Sequence, residues 1–239
     1  LQGAVNRQLG EITVIVDHNK FQSDLKVSMT SDLGDLEKKF AGFGWHVARG
    51  DGHDLPRLAQ IFAEFKTITD RPKILIADTI KGRGVSFMEH TSMDSDVGLY
   101  RFHSGAPDFA VYEKAVAEML ASANAQLATF GAAALTVETS IAPQRPSVEG
   151  FRRLIPAYAQ ALIAAAERNP ALVALDGDLL LDTGLIPFKD KFPERFYECG
   201  IAEQDMVSIA GGMALRGLVP VVHSFACFLS TRPNEQIYN

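Results

Sequence analysis

The chain has 239 residues, of which 47% are hydrophobic, and its formal net charge is -6. This composition is typical of a globular protein with one large domain or two domains of ordinary size. The mild acidity, without a basic cluster, argues against nucleic acid as a partner. No apolar run reaches the roughly 18 residues that a membrane span needs, so no membrane association is expected.

The first half alternates β-rich runs with helical patterns. Strands are predicted at 12–17, 45–49 and 73–79, and helices at 33–44, 55–68 and near 109–126. Continuous apolar strands that alternate with amphipathic helices predict a parallel sheet covered on both faces.

A stretch rich in Ala, Thr, Ser and Pro follows and ends in SIAPQRPSVEG. We interpret residues 128–150 as a linker between two domains at 1–127 and 151–239. The second half repeats the alternation, so the predicted fold class is α/β with two tandem modules, mostly parallel sheets, and both modules incomplete. Its predicted elements are helices 152–168 and 203–216, strands 171–178, 195–200 and 219–225, and a helix that starts at 233.

Polar residues follow the strands of both halves, where ligands of such sheets bind. Structural loops of α/β proteins often look the same, so this pattern alone does not specify a ligand. The polar segments are 17–20, 80–84, 176–178, 200–203 and 223–228.

Glu203 stands just inside the start of a helix that is otherwise apolar and glycine-rich. A helix that is apolar on all sides is normally buried, so this carboxylate is expected to be desolvated or paired. The plain alternative is that Glu203 only stabilises the helix N-terminus through the macrodipole.

Two further features concern the compartment. The start of the chain, LQGAVNRQLGEI, lacks the basic residues and the apolar centre of a signal peptide. Cys199 and Cys227 lie in apolar contexts and are expected to be buried free thiols in a reducing compartment. Both features predict a cytoplasmic protein.

At least five motifs, in order, resemble the transketolase family. VIVDHNKFQSD, AGFGWHV, DGHD and IKGRGVSFME resemble its diphosphate-binding domain, and GIAEQDM and SFACFLSTRPNEQIYN resemble its pyrimidine-binding domain. The resemblance implies two thiamin diphosphate-binding-type modules, thiamin diphosphate with Mg²⁺ (or Ca²⁺), and a dimer or a complementary subunit. It also implies transfer of a two-carbon ketol unit from a ketose to an aldose through the cofactor ylide, with sugars or sugar phosphates as substrates.

The resemblance also assigns roles to individual residues. Glu203 would bond N1′ of the cofactor's aminopyrimidine, and His103 would be the second catalytic residue. The Asn19 side chain and the main-chain carbonyl of Phe21 would ligate the metal, since oxygen donors suit magnesium or calcium on a diphosphate. The residues assigned to the cofactor are Asn19, Phe21, Lys81, Asp178, Phe225 and Phe228.

Two departures from the family pattern keep alternatives open. Gly50-Asp51-Gly52 lies after Asn19 rather than before it, so we reject it as the metal motif and expect this chain to be the middle of a longer enzyme. Asp182 stands where many members have a phosphate-binding serine, and a carboxylate would repel a phosphate. The alternatives are a deoxyxylulose phosphate synthase or 2-oxo acid dehydrogenase type of enzyme, and a non-catalytic or partner-completed fragment.

Overall fold

The structure is a computed structural model that describes residues 1–95, 98–138 and 154–238. The chain forms two compact units, Leu1–Tyr100 and Arg101–Asn239. The predicted domain limits at 127 and 150 stay a prediction, because most of the linker lies outside the described residues. Within those residues, no helix is long and apolar enough to cross a membrane.

The first unit is built on three parallel strands in the order β1-β3-β2, with Lys73–Asp78 in the middle. His18, Asp51 and Asp78 are level in the strand register, so all three stand at the carboxyl end of the sheet. The elements in chain order are α1 (Gln2–Asn6), β1 (Thr13–His18), α2 (Val27–Thr30), α3 (Leu36–Gly42), β2 (His46–Asp51), α4 (Leu55–Phe65) and β3 (Lys73–Asp78).

Local sequence explains where the longer helices of this unit begin. The Asp54 side chain accepts a hydrogen bond from the Arg57 backbone at 3.0 Å and so caps α4, which also has a proline in its first turn. Asp35 caps α3 in the same way. Helix α4 then packs Ile61 and Phe65 against Leu75 and Ala77 of the central strand.

The second unit repeats this plan with three parallel strands in the order β5-β4-β6. Asp176 is level with Glu198 on one neighbouring strand and with His223 on the other. The elements are α5 (Phe109–Thr129), α6 (Leu154–Arg168), β4 (Leu172–Asp176), α7 (Leu180–Thr183), α8 (Ile186–Lys191), β5 (Phe196–Glu198), α9 (Glu203–Leu215), β6 (Val219–His223), α10 (Ala226–Leu229) and α11 (Asn234–Tyr238).

The predicted α/β class with two tandem parallel-sheet modules is therefore confirmed, but the expected cover on both faces holds only for the central strands. All of β4 and nearly all of β3 is buried, whereas β1 alternates between exposed and half-buried residues. Ile15 of β1 is 57% exposed. Edge strands pair on one side only, so fewer neighbours cover them.

Helix α9 also differs from expectation. One face carries Met206 and Ala210 into a core with Val173 and Leu175 of β4. The opposite side is open, and Leu215 is 89% exposed. The expectation that this helix is buried on all sides is thus wrong within this chain, because the sheet covers only one of its faces.

The expectation that both cysteines are buried is wrong as well. Both are free thiols, but Cys199 is half-buried and Cys227 is exposed. Cys227 belongs to the short surface helix α10, whose residues all retain contact with solvent.

Candidate functional site

Three loops meet at the carboxyl end of the second sheet. A Cβ atom on Gly177, in the loop after β4, would lie 3.5 Å from the Gly200 carbonyl oxygen and 3.8 Å from Ser224 Oγ. The loops after β4, β5 and β6 therefore approach each other at van der Waals distance. Parallel α/β sheets place their ligands at this edge.

Glu203 lies at this junction as the first residue of α9. Only 3% of its side chain is exposed. Its Oε1 accepts hydrogen bonds from Arg232 Nη1 at 2.8 Å and from Ser224 Oγ at 3.3 Å. The expectation of a desolvated or paired carboxylate is confirmed, since this one is both.

Arg232 also connects Glu203 with the aromatic residues that the sequence singles out. Its guanidinium lies 3.7 Å from the centroid of the Phe228 ring, within cation–π range. The rings of Phe225 and Phe228 are 5.6 Å apart. In the sequence, Arg232 stands out only as part of the motif SFACFLSTRPNEQIYN. Its pairing with Glu203, 29 positions away, was not predicted.

A pocket of about 600 Å³ opens beside Glu203. Gln236 lines it, and the Oε1 atom of Gln236 is buried without a hydrogen-bond partner among the described residues. A buried amide oxygen of this kind is costly unless a further group bonds to it. The lining residues are Ile201, Ala202, Glu203, Gln204, Asp205, Ser208, Arg232 and Gln236.

Asp178 is fully buried and has a φ of +58°, a left-handed conformation that a non-glycine residue seldom adopts. Its backbone N–H donates to Glu198 Oε1 at 2.9 Å. Asp176, also fully buried, accepts hydrogen bonds from the Leu179 backbone at 2.7 Å and from the Thr183 hydroxyl at 3.0 Å. Thr183, beside the expected phosphate position, is thus engaged in holding a carboxylate.

Burial, and next the negative charge of Asp176, raises the pKa of Glu198 to about 8. Burial of the Cys199 thiol itself, and next its closeness to Glu198, raises the pKa of that thiol to about 12. The carboxyl ends of β4 and β5 therefore form a buried acidic region that the sequence did not reveal.

In the first unit, Asn19 follows β1 and closes a tight turn. Its Oδ1 accepts the Phe21 backbone N–H at 2.9 Å. Phe21 is buried, and its ring lies 5.2 Å from that of His90 and 5.8 Å from that of Tyr100. An amide oxygen has two lone pairs, so this bond leaves room for a further partner on Asn19.

Lys81 lies close to the same turn. Its Nζ donates to the carbonyl oxygens of Gln22 and Ser23, the latter at 2.9 Å, and stands 4.6 Å from the centroid of the Tyr100 ring. The structure thus brings together Asn19, Phe21 and Lys81, three of the residues singled out in the sequence.

Asp78, at the end of the central strand, was missed by the sequence interpretation. It pairs with Arg49 Nε at 2.6 Å, with His18 Nδ1 at 2.9 Å, and with Lys20. These partners, Arg49 foremost, hold the pKa of Asp78 well below its ordinary value. A single carboxylate therefore connects the ends of all three strands.

His103 is exposed and lies between Tyr100 and α5. Asp51 of the rejected Gly50-Asp51-Gly52 motif accepts the His53 backbone N–H at 2.8 Å, which is a local turn. Across residues 1–95, 98–138 and 154–238, no group of three or more His, Cys, Asp or Glu side chains is placed to hold a metal ion.

Comparison with known protein families accounts for both units. Residues 2–98 match the transketolase thiamine diphosphate binding domain, and residues 153–239 match the transketolase pyrimidine binding domain. The fold and these matches together define a protein of the thiamine diphosphate-binding class. Within that class, the chain belongs to the transketolase family, as the sequence motifs predicted.

Several relatives show how much of a family member is present. The chain is 30% identical to human transketolase, with 96% of this chain and 36% of the relative aligned. It is 31% identical to mouse transketolase-like protein 2, over 98% and 37% of the two chains. The chain therefore spans little more than a third of the length of these relatives.

Solved structures in the same family include two examples. One is described as a split gene transketolase, inactive beta4 tetramer, which is 40% identical over 35% of this chain and 28% of that one, with a TM-score of 0.33. The other is the transketolase from Leishmania mexicana, 19% identical over 96% and 40% of the two chains, with a TM-score of 0.35.

Proposed function

We propose that this chain contributes to a transketolase-type enzyme that transfers a two-carbon ketol unit from a ketose to an aldose with thiamin diphosphate. The observation that carries the proposal is Glu203, a carboxylate with 3% of its side chain exposed that lines an open pocket at the start of α9. Membership of the transketolase family supports it.

The residues of this pocket fit the aminopyrimidine part of the cofactor. The buried Oε1 of Gln236, which has no hydrogen-bond partner within the described part of the chain, is an acceptor suited to an exocyclic amino group. Phe225 and Phe228 offer flat apolar faces for a heteroaromatic ring. Because Arg232 covers the Phe228 ring, a pyrimidine stacked on that face would replace the guanidinium.

When bound, thiamin diphosphate supplies a carbon nucleophile and an electron sink for cleavage of the donor's carbon–carbon bond. Glu203 holds a proton at N1′ of the aminopyrimidine, which is general acid–base work by a buried carboxyl group. Both of its hydrogen bonds within the described chain reach Oε1, so Oε2 is the oxygen that remains for this proton. Asp178 and His103 are proposed as further contacts to the cofactor and the reacting groups.

We place the diphosphate and its metal in the first unit. The Asn19 amide oxygen and the Phe21 carbonyl are hard oxygen donors of the kind that Mg²⁺ or Ca²⁺ prefers. Lys81, held beside their turn, adds positive charge for the diphosphate. The remaining metal ligands are proposed to come from outside the residues that the structure describes.

The partners follow from the same proposal. Substrates are sugars or sugar phosphates, and the working form is a homodimer or a pairing with a complementary subunit. Free thiols at both cysteines are compatible with a reducing, cytoplasmic setting.

A second candidate has its own observation. The chain is 31% identical to 1-deoxy-D-xylulose-5-phosphate synthase from an Anaeromyxobacter species, over 84% of this chain and 26% of that one. The same Glu203 chemistry would serve that enzyme, so the two candidates differ in donor. Incubation with either a ketose phosphate or a 2-oxo acid, followed by product analysis, separates them.

The test replaces Glu203 by glutamine in the native protein with its natural flanking sequence. The amide keeps the size of the side chain but cannot act as the acid. We expect hydrogen–deuterium exchange at C2 of bound thiamin diphosphate to slow by about 10²–10⁴-fold. Occupancy, measured by calorimetry, is expected to stay near that of the wild type.

Glu235→Gln is the matched control, because Glu235 is an exposed acid in the first turn of α11 and does not line the pocket. It is expected to leave the exchange rate unchanged. Equal exchange in wild type and Glu203→Gln at equal occupancy would reduce Glu203 to a helix-start residue, worth about 0.3–1 kcal/mol of stability.

A further inference from the structure

Glu198 joins two of the loops that meet at the carboxyl end of the second sheet. Its Oε1 accepts the Asp178 backbone N–H at 2.9 Å and the Gly200 backbone N–H at 2.9 Å. The first bond reaches the loop after β4. The second reaches the turn that leads from β5 into α9, two residues before the helix N-cap.

The other oxygen of this carboxyl group is in an unusual position. Glu198 Oε2 is buried and has no hydrogen-bond partner among the described residues. Among the described residues, the titratable groups that interact with Glu198 are Asp176 at the end of β4, Asp178 after it and the Cys199 thiol, and none of these three is a cation. A buried carboxylate oxygen without a donor or counter-ion is strongly disfavoured, whereas a protonated one is neutral.

Both loops need such an anchor. Asp178 has the strained φ of +58°, and backbone strain persists only where the surroundings fix it. Gly200 has a φ of +70°, and its carbonyl accepts the Ala202 N–H at 2.7 Å, so its position sets the start of the turn that delivers Glu203.

We propose that Glu198 is a positioning residue whose protonated carboxyl group fastens the Asp178 loop to the Gly200 turn and thereby sets where Asp178 and Glu203 stand. Its relevance to the cofactor rests on the proposed function, but its effect on the two loops does not. The pKa near 8 agrees with a proton retained at neutral pH.

Three substitutions test this proposal in the native protein. Glu198→Gln is the neutral isostere of the protonated acid and keeps the acceptor oxygen. Glu198→Leu removes the acceptor and leaves two buried N–H groups unsatisfied. Glu194→Gln is the control, because Glu194 is an exposed acid just before the same strand.

The first measurement is the melting temperature as a function of pH. The folded pKa of Glu198 lies above its ordinary value of 4.5, so the folded state holds the proton more tightly than the unfolded state. The wild type therefore loses the stability that this proton binding contributes as the pH rises from about 5 to about 8. Glutamine does not titrate, so the stability of Glu198→Gln does not change for this reason. We expect the melting temperature of Glu198→Gln minus that of wild type to increase across this range and to level off above it. A Glu198→Gln protein that is less stable than wild type by a constant amount from pH 5 to 8 would overturn the protonated state.

The second measurement is amide hydrogen exchange of the peptides that contain Asp178 and Gly200, without cofactor. Faster exchange in Glu198→Leu, with wild-type protection in Glu198→Gln and Glu194→Gln, is expected. Unchanged protection in Glu198→Leu would overturn the positioning role. If Glu198→Leu does not fold, the same comparison is made with Glu198→Asp, which retracts the acceptor by one carbon and is expected to speed exchange.

Cofactor affinity then separates this inference from the proposed function. We expect Glu198→Leu to weaken thiamin diphosphate binding by about 10-fold or more, as loss of an outer-shell hydrogen bond does, and Glu198→Gln to bind as wild type does. Wild-type affinity in Glu198→Leu contradicts the positioning of cofactor contacts. Absence of binding by the wild type contradicts the proposed function, while the exchange result still decides the role of Glu198.

Discussion

The two units build the same kind of sheet but treat the charges at its carboxyl end in opposite ways. In the first unit, Asp78 is half-buried and surrounded by the side chains of Arg49, His18 and Lys20. In the second, Glu198 and Asp176 accept hydrogen bonds from backbone N–H groups and from the Thr183 hydroxyl. Similar topology therefore does not dictate the electrostatics of a strand end.

The difference suits two kinds of chemistry. Side-chain cations around a single carboxylate favour ionised groups, which agrees with a diphosphate and metal at that end. In the second unit, Glu198 lies among acids and its raised pKa favours the protonated form, whereas Glu203 has one cation, Arg232, on Oε1. Variants at each end can break or sharpen this comparison.

Among the variants that test this comparison, the largest effect is expected at Asn19. Asn19→Ala should weaken magnesium-dependent binding of thiamin diphosphate by about 10-fold to 100-fold, because an amide oxygen would be lost from the metal site. Calorimetric titration of thiamin diphosphate at a series of Mg²⁺ concentrations measures it. Asn124→Ala, which removes an amide that bonds to the Leu135 backbone, is the control. If the dependence of binding on Mg²⁺ is unchanged in Asn19→Ala, the carboxyl end of the first sheet does not bind the metal and diphosphate through Asn19.

A smaller effect is expected at Arg232. Arg232→Met removes a charged hydrogen bond to Glu203, and unfolding by urea should show a loss of about 1–2 kcal/mol. The cost stays below that of a fully buried pair, because the arginine side chain is 41% exposed. Arg83→Met, which breaks a longer pair with Glu89 at 3.6 Å on an arginine that is 54% exposed, should change stability little. Equal losses in both variants would mean that the buried carboxylate of Glu203 does not depend on this cation.

The smallest effect concerns pH and the first unit. The folded pKa of Asp78 is depressed, so its ion pairs stabilise the protein above its ordinary pKa of 3.8, and this stabilisation is lost as the pH falls through the folded value. Asp78→Asn should cost about 1 kcal/mol at pH 7, a value reduced for solvent screening. Its difference from wild type should shrink below pH of about 4.

Urea unfolding at pH 7 and pH 3 checks this expectation, with Asp70→Asn at an exposed ion pair as the control. The stabilisation contributed by Asp78 increases as the pH rises. The contribution of Glu198 is expected to change in the opposite direction, because it falls as the pH rises. A difference that persists unchanged at pH 3 would show that Asp78 acts through packing rather than charge.

The sequence predicted the larger elements well, because they have a clear hydrophobic period. The six strands found in the described residues lie within a few residues of the predicted runs, and the long helices α4, α5, α6 and α9 are present. The short helices α2, α7, α8 and α10 were missed, since four to six residues are too few to show a period. The exposed side of α9 was missed because the apolar pattern of a helix does not determine which other elements pack against each of its faces.

The site was predicted in part, and the missing part is its long-range pairing. Glu203 was found from its position at the start of an apolar helix. Its partner Arg232 comes from another segment, and no local pattern connects the two. Glu198 and Asp78 were missed for the same reason. The role of an acid at the end of a strand depends on its partners, and these come from neighbouring strands and loops that are distant in the sequence.

The strand order described above has a consequence for synthesis on the ribosome. In the first sheet the central strand β3 is the last of the three to be made, so β1 and β2 cannot take their places beside it until Asp78 has emerged. In the second sheet the central strand β4 is made first, and β5 and β6 add to it in turn. Pairing that waits for a later strand requires longer loops to close, so we expect the three strands of the first sheet to pair with one another later during synthesis than those of the second.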